Sequence, residues 1–500
     1  MSAYKKLEDH FREIANFEHA SGILNWDNAT MMPSGSAEVR ASAMATLSVH
    51  IHTLSTDPRI PEWASLAKDE DMDEWQAANV REVERLFTIN AALPADLVEA
   101  LSTAASQGEQ AWRALRAENN WQDFKPYLDE IFNLSRKQGQ ALGEALKLAP
   151  YDALISLYQP GIGTQDIDPI FAELKAFLPD LVQAAVARQT AAGNAVSAPK
   201  NISVDKQREL GLATMKTLGF DFNRGRLDVS HHPFCGGAAG DVRLTTRYDE
   251  NRFLDSLQGV IHETGHALYE QNRPPAYLGQ PVSAAMGMAI HESQSLFMEM
   301  QLGRGPQFIE YMAPLIRRHL APDASPTDKQ WSSAALYALS THVEPGLIRV
   351  NADECTYPAH VILRYEMEQQ LIAGSMDVAD IPQTWDASMQ ALLGLSTAGD
   401  YRDGCMQDVH WPSGGVGYFP TYTLGAIAAA QLKAALLRAV PDIDQQIARG
   451  ELAMVMSWLR DNIWSRGSLY GMQELMTRAT GKPLDVSDFK THLKARYLGE

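Results

Sequence analysis

Apolar residues recur every three to four positions along most of this chain, and that spacing predicts a mainly α protein. Residues 4–26, 36–55, 72–92, 95–117 and 121–147 read as successive amphipathic helices rich in Ala, Leu, Glu, Gln and Arg, all good helix formers. Pro94 falls near the start of one of them, where proline is tolerated. A further helix covers about 165–190, and AAGNAVSAPKN at 191–201 reads as a surface loop. Helical patterns return at 203–217, 306–320, 327–342, 353–373, 384–394, 423–439, 443–461 and 485–496. Strand signals are few. The run 241–248 alternates and carries β-branched residues, and 227–229 and 348–350 are short segments able to pair with it. The edge of such a strand can hold an extended peptide by main-chain hydrogen bonds.

Composition narrows the setting. The 62 acidic and 43 basic side chains give a net charge of −19, which disfavours binding to nucleic acid or an anionic membrane through a general field. Cys235, Cys355 and Cys405 are odd in number and far apart, so no disulfide framework is indicated. The first twenty residues mix charges at helical spacing without an apolar signal run, and no stretch is long and apolar enough to span a membrane. Together these features predict a cytoplasmic protein.

Chemistry enters at His262-Glu263-Thr264-Gly265-His266, an HExxH motif. On a helix the two histidines lie one turn apart on one face, which suits two ligands of a tetrahedral Zn²⁺. Glu263 is offset toward the same ion, where a carboxylate can take a proton from an attacking water. A catalytic site needs a third protein ligand and one open position. The next cluster, around His291 and Glu292, reads as a helix after the Pro281 loop. Neighbours on a helix point about 100° apart, so only one of these two can face the metal well. Glu299, two turns past Glu292, sits on a similar face as an outer carboxylate. Co²⁺ and Mn²⁺ are possible substitutes at such N/O sites.

Six motifs in order carry a family resemblance: His232-Pro233-Phe234; Asp241, Arg243 and Thr245; HETGH at 262–266; HESQ at 291–294; Leu363-Arg364-Tyr365; and Gly404, Gln407, Asp408, His410 and Trp411 in the pattern GxxQDxHW. The chain resembles the carboxypeptidase Taq family of metallocarboxypeptidases, over nearly its whole length. The resemblance implies a large helical fold with a deep groove, similar to neurolysin and angiotensin-converting enzyme, with a small β-sheet beside the HExxH helix. It implies a homodimer that releases single C-terminal residues from peptides with broad specificity. It also implies His262, His266 and Glu292 as metal ligands, with Glu263 as the general acid/base.

The segment His410–Tyr422 pairs an imidazole and two phenols with a glycine-rich stretch, and it looks like the corresponding segment of the neurolysin-like enzymes. His410, Tyr418 and Tyr422 are therefore candidates to stabilise the oxyanion. An exopeptidase acting at the C-terminus must recognise a free carboxylate, and arginine's planar fork does so best. Arg364 is the first choice, Arg243 the second and Arg349 the third. His232 either lines the groove or fixes a turn with Pro233. No linker or repeat interrupts the chain, so 1–500 reads as one catalytic unit, with an N-terminal helical part to about 200 and a metal-site part beyond it. Two other readings share these residues: an endopeptidase on the same scaffold, and a non-catalytic helical protein with a structural metal.

Overall fold

The computed structural model describes residues 1–193 and 197–500. The expected loop at 191–201 thus lies in part, at 194–196, outside the described residues. The chain is mainly helical, with one three-stranded sheet among the described residues.

The first helices follow the apolar spacing closely. Ala3–Thr30, Ala37–Ser55, Arg59–Ala67 and Glu74–Ala92 close a small core around Leu7, Phe11, Ile14, Ile60, Val80 and Val83. Asp73 caps the last of these through a reciprocal box with Gln76, and Pro94 is the N-cap of Ala95–Ala117. From Trp121 onward the helices share one large core that runs to Tyr497, so residues before and after 200 pack into the same apolar interior.

Several expected elements are shorter or divided. The 443–461 pattern is two helices, Ile443–Ala448 and Ala453–Asn462, parted at Gly450, whose φ of +77° ends the first. The 327–342 pattern keeps only Ser333–Ser340, capped by Ser332. Arg59–Ala67, Pro150–Ile155 and Met472–Thr480 are short helices that the periodicity did not mark.

The sheet consists of β1 (Gly225–Val229), β2 (Cys235–Ala238) and β3 (Asp241–Thr246), in the order β1-β3-β2. β1 runs parallel to β3 with Leu227 opposite Leu244, and β2 runs antiparallel with Gly236 opposite Arg243. Two expectations change. Residues 348–350 are not a strand; Arg349–Asn351 form a short 3₁₀ turn. β3 is central, so both its edges are already paired, and it has no edge to offer a peptide. β2 was missed because Cys-Gly-Gly-Ala lacks the β-branched residues that signal a strand.

A groove of about 2740 Å³ runs between the N-terminal helices, the sheet and the C-terminal half. Its lining draws on Glu18, Gly236, His262, Arg349 and Tyr422, contributed by segments far apart in sequence.

Candidate active site

The helix Phe253–Gln271 carries HETGH and is buried along most of its length. It packs against Gly287–Leu296, which carries HESQ, and Gly265 permits the close approach. A Cβ there would lie 2.4 Å from the Gln294 carbonyl oxygen and 2.6 Å from Ser295 Cα. On the far side, Gly425 of Pro420–Ala439 gives Glu292 the same room, since a Cβ there would lie 2.8 Å from the Glu292 Cβ and Cγ. Glu292 is held between two helices and opposite both histidines.

His262 Nε2 and His266 Nε2 lie 3.9 and 3.3 Å from one oxygen, Glu292 Oε2. Single ligand atoms of the three residues all fall within 4.8 Å of one another. Two imidazole nitrogens and a carboxylate oxygen so placed fit a tetrahedral divalent ion with one position left open. His291, the rival to Glu292, faces elsewhere: its Nδ1 is 2.6 Å from His266 Nδ1, and its Nε2 is 3.1 Å from Glu270 Oε1. Glu299 meets His262 Nδ1 at 2.8 Å through Oε2, while its Oε1 accepts from Arg304 Nη2 at 2.5 Å. It reaches that place from a π-helical turn, Phe297–Gly303, which follows the HESQ helix.

Burial works against every charge here, and the neighbours decide which groups keep theirs. Burial pushes Glu263 up to about 7, aided by Glu292 and Glu299 and opposed by His262. Burial also carries His266 down to about 4. For Glu299 burial acts upward, yet Arg304 and His262 bring it down to about 2. For His262 burial acts downward, but Glu292, Glu299 and Glu263 carry it to about 10. A buried pocket with three carboxylates beside two imidazoles has an excess of negative charge, which a bound cation would balance.

Across the groove, Tyr422 Oη lies 3.0 Å from His410 Nε2, and the Tyr418 and Tyr422 rings are 5.2 Å apart. Burial raises Tyr422 to about 12 and Tyr418 further, so both phenols keep their protons at neutral pH. Burial and the nearby Arg349 bring His410 down to about 3, leaving it neutral. All three residues line the same groove as His262, Glu263, His266 and Glu292.

The arginines are placed differently from the sequence-based order of preference. Arg364 is fully buried and absent from the groove lining; its Nε donates to Asp408 Oδ2 at 2.8 Å, and its Nη1 donates to the His360 carbonyl. Arg243 pairs with Asp241 at 2.9 and 2.5 Å and lies 4.6 Å over the Trp26 ring, again outside the groove lining. Arg364 is tied to Asp408 in the interior and Arg243 to the half-exposed Asp241, and neither lines the groove, so the expectation for both is corrected. Arg349 does line the groove.

His232 is exposed and lines the groove within the loop joining β1 and β2. Thr245 supports that loop: its Oγ1 accepts from Phe234 N at 3.0 Å and from Ser230 Oγ at 2.6 Å.

These features are matched by whole-chain likeness. A model of the carboxypeptidase Taq (M32) metallopeptidase family matches residues 6–497. The chain belongs to that family. It is 36% identical over 513 residues to thermostable carboxypeptidase 1 of Thermus thermophilus, spanning 99% of this chain and 98% of that one. It is 34% identical over 500 residues to carboxypeptidase 1 of Bacillus subtilis, spanning 99% and 97%. Among solved structures, metallocarboxypeptidase 1 of Trypanosoma cruzi superposes with a TM-score of 0.96 at 39% identity, covering 99% of each chain. As a member of this family the chain is a metallocarboxypeptidase, a peptide hydrolase. No helix among the described residues is long and apolar enough to cross a membrane.

Some groups beside the site escaped sequence reading. Glu270 had a usable signal, because it continues the His262, His266 face by one more turn. Tyr357, which lines the groove with its ring 6.0 Å from that of Tyr422, had none. Asp408 stood in a recognised motif, but its position between Arg349 and Arg364 depends on tertiary contacts.

Proposed function

We propose that this chain is a zinc carboxypeptidase that releases single C-terminal residues from peptides with broad specificity, with His262, His266 and Glu292 holding the ion. The observation that carries the reading is the convergence of both Nε2 atoms on Glu292 Oε2 in a groove that Glu263 also lines. Bound Zn²⁺ would supply Lewis acidity toward the scissile carbonyl and toward water; Co²⁺ or Mn²⁺ fits the same donors.

The protein's own groups then divide the work. Glu263, which lines the groove beside the ligand candidates, takes the proton from the attacking water and returns it to the leaving amine. Tyr422 and Tyr418, still protonated, donate to the developing oxyanion, and His410 holds Tyr422 by the 3.0 Å contact. Arg349 binds the substrate's terminal carboxylate. Asp408 takes its Nε and Nη2, while its Nη1 has no partner among the described residues. His232 lines the groove at the sheet and contacts the more distant substrate backbone. The groove has room for several residues of peptide. The resemblance extends the proposal to a cytoplasmic homodimer, and sedimentation of the purified chain measures its subunit number.

The deciding experiment compares one N-blocked peptide as free acid and as C-terminal amide, with chelator and with zinc restored. Stepwise loss of C-terminal residues from the free acid alone, dependent on metal, is the expected result. Internal cleavage of both peptides would instead indicate an endopeptidase.

A further inference from the structure

The two HExxH histidines present Nε2 to the same carboxylate, yet their Nδ1 atoms are held in different ways. His262 Nδ1 meets a carboxylate directly, at 2.8 Å from Glu299. His266 Nδ1 meets another imidazole, at 2.6 Å from His291 Nδ1. His291 in turn reaches Glu270 Oε1 at 3.1 Å through Nε2. Glu270 Oε2 accepts from Arg273 Nη1 at 2.8 Å, and Arg273 is itself anchored by its Nε to the Ser283 carbonyl at 2.7 Å.

Hydrogen positions along this chain follow from its two ends. The Glu270 carboxylate, paired with Arg273, has no proton to give, so His291 Nε2 must donate to it. A neutral imidazole with its proton on Nε2 accepts at Nδ1. His266 must therefore donate from Nδ1, which leaves its Nε2 lone pair open toward Glu292 Oε2.

We propose that His291, Glu270 and Arg273 form a relay that fixes the tautomer and ring orientation of His266, making His291 a positioning residue for metal binding rather than a ligand. The inference rests on the proposed ligand set of His262, His266 and Glu292. It differs from the direct carboxylate contact at His262, and it assigns a role to the histidine of HESQ. Such outer partners typically contribute 10–100-fold to metal affinity.

The test measures Zn²⁺ dissociation constants by competition with a chromophoric chelator, together with circular dichroism and thermal midpoints of the metal-free proteins. His291→Phe keeps the ring volume but removes the acceptor; it should weaken Zn²⁺ binding about 10–100-fold while the metal-free protein keeps its folded circular dichroism spectrum. His291→Asn places an amide oxygen near the lost Nδ1 and should recover most of that affinity. Should His291→Phe fail to fold, Glu270→Ala breaks the relay at its other end and should weaken binding in the same direction. His291→Phe affinity within twofold of the unmodified protein overturns the relay. So does equal weakening by Phe and Asn, which would mark a packing effect. His266→Ala serves as the control: if it still binds Zn²⁺ with full affinity, the ligand set itself fails and the relay with it.

Discussion

Arg349 grips Asp408 with two nitrogens, Nε at 3.1 Å and Nη2 at 2.8 Å from Oδ1, while Arg364 Nε holds Oδ2 at 2.8 Å from the protein interior. One carboxylate thus orients a groove-lining arginine, and a buried arginine orients the carboxylate. The Arg349 guanidinium also lies 4.8 Å from the Tyr422 ring centroid, which places the carboxylate-binding candidate beside the oxyanion candidate.

Replacing each arginine should separate recognition from stability. Arg349→Lys keeps the charge but loses the fork, and should lower kcat/KM on free-acid peptides about 10²-fold, chiefly through KM. Amidated peptides, which the unmodified protein is expected to leave intact, should stay uncleaved. Arg364→Lys should instead destabilise the fold by about 1–3 kcal/mol, because an ammonium cannot reproduce the buried guanidinium's bonds to both Asp408 and the His360 carbonyl. Steady-state kinetics on the matched peptides and a denaturant titration check both halves; a KM effect from Arg364→Lys as large as that from Arg349→Lys would contradict the division.

Glu263→Gln removes the proton carrier without changing the shape of the side chain. Hydrolysis should fall at least about 10²–10⁴-fold, the usual contribution of general acid–base catalysis, while zinc content by atomic absorption and the far-UV spectrum remain unchanged. Turnover within tenfold of the unmodified protein would remove Glu263 from the role of base.

The site was legible where spacing alone sets geometry. HETGH places two imidazoles on one helical face, and the seven-residue step from Glu292 to Glu299, its last part in a π-helical turn, brings one carboxylate to each side of the histidine pair. The long helices Ala3–Thr30, Glu74–Ala92 and Trp121–Leu146 were legible for the same reason, since each has apolar residues recurring on a face that is buried. What sequence could not supply is which side of an element faces the groove. Arg364 and Arg349 both stand in arginine-bearing segments near the site, yet one is buried behind Asp408 and the other lines the groove. Both guanidinium groups lie over Phe419, but Arg364 also lies 4.3 Å over the buried Trp385 ring and Arg349 4.8 Å over that of groove-lining Tyr422, contacts that only the tertiary packing sets. β2 was hidden because its role rests on pairing with β3, and its residues carry no strand propensity of their own.

Gly265 lets the HETGH and HESQ helices touch, so Gly265→Ala should force them apart. The added methyl meets backbone atoms at 2.4 and 2.6 Å, which cannot move aside as a flexible side chain would. The expected cost is about 1–3 kcal/mol or more, the range for overpacked interiors. Because the ligand candidates sit on both helices, zinc affinity should fall together with the thermal midpoint. A variant with unchanged midpoint and full zinc content would show that the contact is looser than it looks.

Glu354 gives the fold an acid sensitivity of its own. Its buried carboxylate accepts from His492 Nε2 at 2.8 Å and from Arg496 Nη1 and Tyr497 Oη at 2.9 Å each, tying the segment before the Tyr357–Ala373 helix to the C-terminal residues. Burial alone would raise this carboxyl, but His492, Arg496 and Arg304 hold it well below the ordinary carboxylate range. In the unfolded chain it returns to about 4.5, so below that pH the unfolded state binds a proton that the folded state refuses. The stabilisation is therefore present in full above about pH 5 and is lost progressively as the pH falls. Glu354→Gln should be less stable at pH 7, because it leaves a buried arginine uncompensated, and its stability should fall less steeply between pH 6 and 4. Urea midpoints of both proteins across that range make the comparison, and parallel pH slopes would locate the acid sensitivity in some other carboxylate.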